Sequence, residues 1–178
     1  MQHYWCYSTF VASTIAILVM TYISEVTSST PCSEFGQRHD FVCASGKPII
    51  HVSGRHVHDN NGIEDRVYCY GCRTTSRSTS DCYDTGYVNE FDDTLSTQCH
   101  PDYYISGVWS ERDNGKDRRF AFRCCRVSGL CTRNCNLDGP VNNSDGDMNY
   151  NLKAGQVISG AIQWAEKWWF QRCDCVVC

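Results

Sequence analysis

The sequence predicts an all-β, disulfide-rich protein of three repeats around a pseudo-threefold axis, closed in the manner of a β-prism or a trefoil. Three observations lead there. The run Asp117-Arg118-Arg119-Phe120-Ala121-Phe122-Arg123-Cys124-Cys125-Arg126 puts Phe120, Phe122 and Cys124 on one parity, the period-two mark of a half-buried strand. The same mark occurs as Asp65-Arg66-Val67-Tyr68-Cys69-Tyr70-Gly71-Cys72 and, degraded, as Ala165-Glu166-Lys167-Trp168-Trp169-Phe170-Gln171-Arg172-Cys173. Fourteen cysteines in 178 residues, behind an apolar leader, mark a secreted scaffold held by disulfides. Repeats of roughly 35 to 50 residues supply a few strands each and bury their faces only against one another.

The leader comes first. Thr9 to Met20 is mostly apolar and is followed by the small residues Ser28, Ser29 and Thr30. This is the length of a signal-peptide core and falls short of the roughly 20 residues of a membrane span. Residues 1–29 are therefore expected to be a signal peptide, and 30–178 the domain. No Lys or Arg precedes the apolar run, so a membrane-anchored ectodomain stays open as an alternative. Cleavage would remove Cys6 and leave an odd cysteine count, which implies a free thiol or an intermolecular bridge and, with it, a homo-oligomer.

Repeat one, residues 41–72, carries Ile49-Ile50-x-Val52 and then Asp59-Asn60-Asn61-Gly62, a hairpin signal because Asn-Gly tolerates positive φ. His56 and His58 alternate as metal ligands on a strand would. No third ligand stands at helpful spacing, so a solvated hairpin end is expected. The Ser/Thr-rich stretch 73–80 reads as a linker.

Repeat two, residues 86–126, runs from Gly86 through Tyr103-Tyr104-Ile105-Ser106-Gly107-Val108, turns at Asp113-Asn114-Gly115 and enters the strand at Asp117. The spacing from Cys99 to Ile105 repeats that from Cys43 to Ile49. Cys43–Cys72 and Cys99–Cys124 are thus expected to be equivalent bridges. Repeat three, residues 147–178, has a shorter connection between its strands and Leu152 where Cys99 would stand. Cys69-x-x-Cys72 and Cys175-x-x-Cys178 have zinc-pair spacing, but no second pair accompanies either, which favours disulfides. Between repeats two and three, Asn142-Asn143-Ser144 is a glycosylation acceptor expected on an exposed loop. Asp145 to Asn151 alternates oxygen ligands, yet lacks the Gly and Glu that a calcium-binding hand needs at its sixth and twelfth positions.

A net charge of −4 argues against general nucleic-acid binding. No Gly-x-Ser-x-Gly or His-Glu-x-x-His frame occurs, so no catalytic residue and no cofactor are assigned. Lys116, Arg118, Arg119, Arg123 and Arg126 lie within one short stretch. Arg66 and Arg118 recur with Asp65 and Asp117 in the repeat, which makes these four structural. Lys116, Arg119 and Arg123 do not recur and are candidate ligands for the anionic oxygens of glycans, where a guanidinium fork pairs in two places at once. Of the tryptophans near the carboxy terminus, Trp168 shares the parity of Phe120 and belongs to the core. Trp169 points the other way and is the candidate sugar shelf.

The two Asp-Arg-x-aromatic copies and a third with Ala165-Glu166 in place of Asp-Arg, Ile105-Ser106-Gly107-Val108, and Cys124-Cys125-Arg126-Val127 followed by Cys131-x-x-x-Cys135 resemble the dermatopontin family. The resemblance spans about Phe41 to Cys178. It implies disulfide positions at Cys43, Cys72, Cys82, Cys99, Cys124, Cys125, Cys131, Cys135, Cys173 and Cys178. Tyr68 and Phe120 stand where the family usually has Trp, and Cys32, Cys69 and Cys175 are additional. The resemblance further implies an extracellular-matrix protein or agglutinin that binds proteoglycans, cell-surface glycans or matrix proteins without turnover. A secreted disulfide-rich effector or hydrolase is the alternative of another class.

Overall fold

A computed structural model describes residues 32–73, 81–113 and 117–178. Among these the chain is all-β, eleven strands in three sheets with one 3-10 turn at Ala44–Gly46. Three long antiparallel hairpins form the frame: β2 (Ile49–His58) with β3 (Glu64–Cys72), β6 (Tyr104–Arg112) with β7 (Arg118–Arg126), and β10 (Gln156–Trp164) with β11 (Lys167–Val177). Each is the hydrophobic alternation of the sequence folded back on itself. In β7, Arg118, Phe120, Phe122 and Cys124 face inward and are buried.

A short strand precedes each hairpin and pairs with the next repeat instead of its own. The strand β1 (His39–Val42) adds to β6, β5 (Leu95–Gln98) adds to β10, and β9 (Met148–Asn151) adds to β2. Local hydrogen bonds follow the same cycle. Every hairpin has a bulge at one place, skipping Ile50, Ser106 and Ser159. The carbonyls of these residues accept the N–H of Leu152 (2.9 Å), Cys43 (2.9 Å) and Cys99 (2.8 Å). Leu152 therefore holds the position of the missing cysteine. This cyclic exchange is compatible with a pseudo-threefold axis.

The rings at that centre are one from each repeat. Tyr68, Phe120 and Trp168 meet pairwise edge to face at 5.7, 5.8 and 5.2 Å between centroids. Positive ring edges thus lie against negative faces, the favoured geometry for aromatic pairs. The Trp168 indole N–H also donates to the Tyr68 hydroxyl at 3.1 Å, so the one polar pair in the cluster is satisfied.

The remaining strands, β4 (Asp81–Tyr87) on β7 and β8 (Leu130–Asp138) on β11, close two sheets. Both are tied covalently, by Cys82–Cys125 and Cys135–Cys173. Cys43–Cys72 and Cys99–Cys124 close the matching loops, Cys131–Cys178 anchors the carboxy terminus, and Cys32–Cys69 ties the amino-terminal segment to β3. Neither Cys-x-x-Cys spacing acts as a unit. Among the described residues no cysteine is free, and Cys175 is itself disulfide-bonded, so it does not supply the expected odd thiol.

Candidate functional site

The candidate ligand residues lie on the outer face of the sheet β1-β6-β7-β4. Strand alternation sets Arg119, Ala121 and Arg123 outward while the phenylalanines face in. Ala121 lies across from Trp109 on one side and Tyr87 on the other. It is 8% exposed although it faces out. Larger neighbours cover it: the Arg119 guanidinium lies 4.0 Å from the Tyr87 ring centre and 4.7 Å from that of Phe91, and Arg123 lies 5.6 Å from that of Trp109. Arg126, on the opposite parity of β7, lies 5.3 Å from the Tyr103 ring centre.

Each of these arginines also has an acid. Arg119 donates from Nε to Glu111 at 2.7 Å and again from Nη2, with Glu90 at 3.9 Å. Arg123 pairs in a fork with Asp84 at 2.8 and 3.0 Å, and Arg126 lies 3.7 Å from Asp81. The Arg119 bond, with a second from Tyr87, holds the Glu111 carboxyl below its ordinary range; burial and the Glu111 hydrogen bond push the Tyr87 hydroxyl up. The predicted cationic stripe is thus a ladder of neutralised pairs on aromatic rings. Lys116 and the turn at Asn114 lie outside the described residues, as does the linker after Arg73.

Of the Asp-Arg residues, Asp65, Arg66 and Arg118 are buried and Asp117 is exposed. Arg118, 2% exposed, donates to both oxygens of Asp65 at 2.9 and 2.7 Å and to the carbonyl of Gln37 at 2.9 Å. Asp65 is pushed up by burial, but the Arg118 bonds outweigh this and hold its carboxyl below the usual range. Arg66 reaches the opposite neighbour, donating to the carbonyls of Ser144 at 2.7 Å and Gly146 at 2.6 Å. Asp117 accepts the Arg118 backbone N–H at 2.7 Å. The motif stitches one repeat to the next.

Two expected residues sit more deeply than their neighbours. Trp169 is half-buried, with one side of its ring against Gly139, where an added Cβ would lie 2.7 Å from it. The exposed indole is Trp164, at 64%. A shortened connection between repeat-three strands is the signal that could have found it: a two-residue turn at Ala165-Glu166 pushes its flanks into solvent. Asn142 lies on a loop with exposed Asn143, Asp145 and Asp147, but its own side chain turns inward. It is 7% exposed, its Oδ1 accepts the Trp168 N–H at 2.8 Å, and its Nδ2 donates to the carbonyls of Asn143 and Glu166. Asn89 serves Phe120 in the same way, and Ser33 serves Tyr68.

One metal-type grouping occurs among the described residues. His56, Asp145 and Glu166 bring ligand atoms within 4.8 Å of one another. Its second and third members lie too far along the chain for spacing to reveal them. Arg66 holds the carbonyls flanking Asp145, which sets a fixed positive charge beside the group and weakens it for a cation.

The dermatopontin family model matches residues 33–178. The chain belongs to the dermatopontin family. It is similar to dermatopontin of Biomphalaria glabrata, 41% identical over 128 residues covering 71% of this chain and 84% of that protein. It is also similar to the hemagglutinin/amebocyte aggregation factor of Limulus polyphemus, 32% identical over 167 residues covering 89% and 95%. No solved structure shows significant similarity. This dermatopontin-family chain is a secreted, disulfide-stapled protein of matrix or agglutinin type. No helix among its described residues is long and apolar enough to cross a membrane.

Proposed function

We propose that the protein is an extracellular-matrix and cell-adhesion factor that binds glycans through the outer face of repeat two. The pair of Arg119 and Arg123 on Tyr87 and Trp109 supports this reading. A sugar presents hydroxyls that both donate and accept. An arginine–carboxylate pair offers spare N–H donors and carboxylate acceptors in one plane. The rings beside each pair match the apolar faces of a pyranose.

Charge balance selects the kind of glycan. Glu111 and Asp84 already neutralise the two guanidiniums. A sulfate would have to compete with a bonded carboxylate, whereas a neutral sugar bonds both partners. The face therefore suits neutral or weakly acidic glycans better than heparin-like polyanions. One such face per chain means that agglutination needs a second copy, so a homo-oligomer supplies the valency.

Agglutination of erythrocytes tests the site. The combined change Arg119→Ala, Arg123→Ala and Trp109→Ala should abolish it while the thermal transition stays cooperative. Trp169→Ala should leave the titre unchanged. An unchanged titre in the triple variant would remove the site.

A further inference from the structure

Two of the three sheets have four strands and the third has three. The strand β4 covers the outer edge of β7 and β8 covers that of β11, but among the described residues no sheet strand lies beyond β3. Local bonds show which groups this leaves. The Tyr68 N–H donates to Ser33 Oγ at 2.9 Å and its carbonyl accepts the Ser33 N–H at 2.7 Å, so Tyr68 turns its peptide groups away from β2. By alternation Tyr70 and Cys72 do the same, and their N–H and C=O groups form the open part of the edge. Arg73 turns back and donates to the carbonyl of Pro48 at 3.0 Å.

The contacts that lead a strand onto such an edge are present. The bond from Ser33 to Tyr68 repeats those from Val88 to Phe120 (2.9 Å) and Val141 to Trp168 (2.8 Å), which lie just past the ends of β4 and β8. One residue earlier, Cys32 pairs with Cys69 as Tyr87, the last residue of β4, pairs with Ala121. Tyr68 and Phe120 are equivalent ring positions, so the register carries over and residues 26–31 correspond to residues 81–86. The Thr85 hydroxyl accepts the Phe122 N–H at 2.9 Å; Thr30 is its counterpart, opposite Tyr70 in that register. Pro31 corresponds to Gly86, which the register of β4 skips, and a bulge is one of the few places where a strand admits proline. Proline cannot take the φ of 71° that Gly86 has, so a bulge there differs in shape.

We propose that the outer edge of β3 is the docking site of residues 26–31, which lie outside the described residues, and that they complete the third sheet as the counterpart of β4. Leader removal then falls ahead of Val26, and not after residue 29. Repeat one gains the covered edge that the other two have, which denies β3 to the strands of other chains.

The test begins with amino-terminal sequencing of the secreted protein, where a start at or before Val26 is expected. Amide hydrogen exchange by NMR then reads the edge. Ser28 corresponds to Tyr83, which lies opposite Cys124, and by alternation its N–H serves Cys72; that of Ser29 points away from β3. Ser28→Pro should therefore speed exchange at Tyr70 and Cys72 by roughly tenfold or more, and Ser29→Pro by less than about threefold. Exchange at Phe122 should be unchanged in both. A secreted chain that starts after Ser29, or equal exchange at Tyr70 and Cys72 in the two variants, would overturn the proposal. So would protection of these amides that grows with protein concentration, because the edge would then belong to a second copy.

Discussion

Replacing Arg118 by Met tests the structural role of the Asp-Arg pair. The substitution keeps most of the side-chain bulk and removes the guanidinium. Five hydrogen bonds go with it, to both oxygens of Asp65, the carbonyls of Gln37 and Glu34, and the hydroxyl of Ser110. The Asp65 side chain is only 3% exposed, so its charge is left without its main partner. Breaking a buried pair from one side costs about 3–5 kcal/mol. Asp65 still accepts N–H bonds from Gly36 and Arg66, and Arg112 lies 3.7 Å away, so about 3 kcal/mol, the lower end, is expected. Urea unfolding with the disulfides intact, read by tryptophan fluorescence, measures it. Adding Asp65→Asn to Arg118→Met should recover much of the loss, because the stranded charge disappears. The pH response has a definite sign. In the wild type the depressed Asp65 carboxyl stabilises the fold fully above its unfolded pKa of about 3.9, and this is lost as pH falls through the lower folded value. In Arg118→Met burial is left to push the carboxyl up, so the variant should regain stability as pH falls from 7 toward 4. A loss below about 1 kcal/mol, or a double change costing the sum of both singles, would refute a buried, charge-compensated pair.

Phe120→Ala removes one ring of the central three and should cost about 3–5 kcal/mol in the same unfolding assay, against under 1 kcal/mol for a surface change such as Lys167→Ala. Glu166→Gln should raise the unfolding midpoint at pH 7. Its raised carboxyl disfavours the charged fold there, and the difference should vanish on acidification through the folded pKa. Asn142→Ala should cost about 1–3 kcal/mol by stranding the Trp168 N–H, and peptide mass analysis of the wild type should find Asn142 unmodified.

The parity of Phe120, Phe122 and Cys124 made the inward face of β7 legible, and its copies located the other two hairpins and the residues that meet at the centre. Pairing of Cys43 with Cys72 and of Cys99 with Cys124 followed from equal spacing to the apolar runs. Exchange of β1, β5 and β9 between repeats was not legible, because four-residue strands carry too little alternation to name a partner. At the candidate site, the outward direction of Arg119 and Arg123 followed from period two. Their acids did not: Glu111 arrives across the hairpin and Asp84 from an edge strand, so a cluster cationic in sequence is neutral in space. Asn142 misled for a related reason. A polar loop composition says nothing of whether one amide turns inward to cap a strand, as this one does beneath Trp168.

The most direct measurement is retention of the secreted protein on immobilised galactan, mannan and heparin across a salt series from about 50 to 500 mM, where screening lengths fall several-fold. Paired guanidiniums on aromatic rings predict retention on a neutral polysaccharide that changes little with salt and is lost with Arg119→Ala, Arg123→Ala and Trp109→Ala together. Retention on heparin alone, falling steeply with salt, would contradict a charge-balanced glycan face.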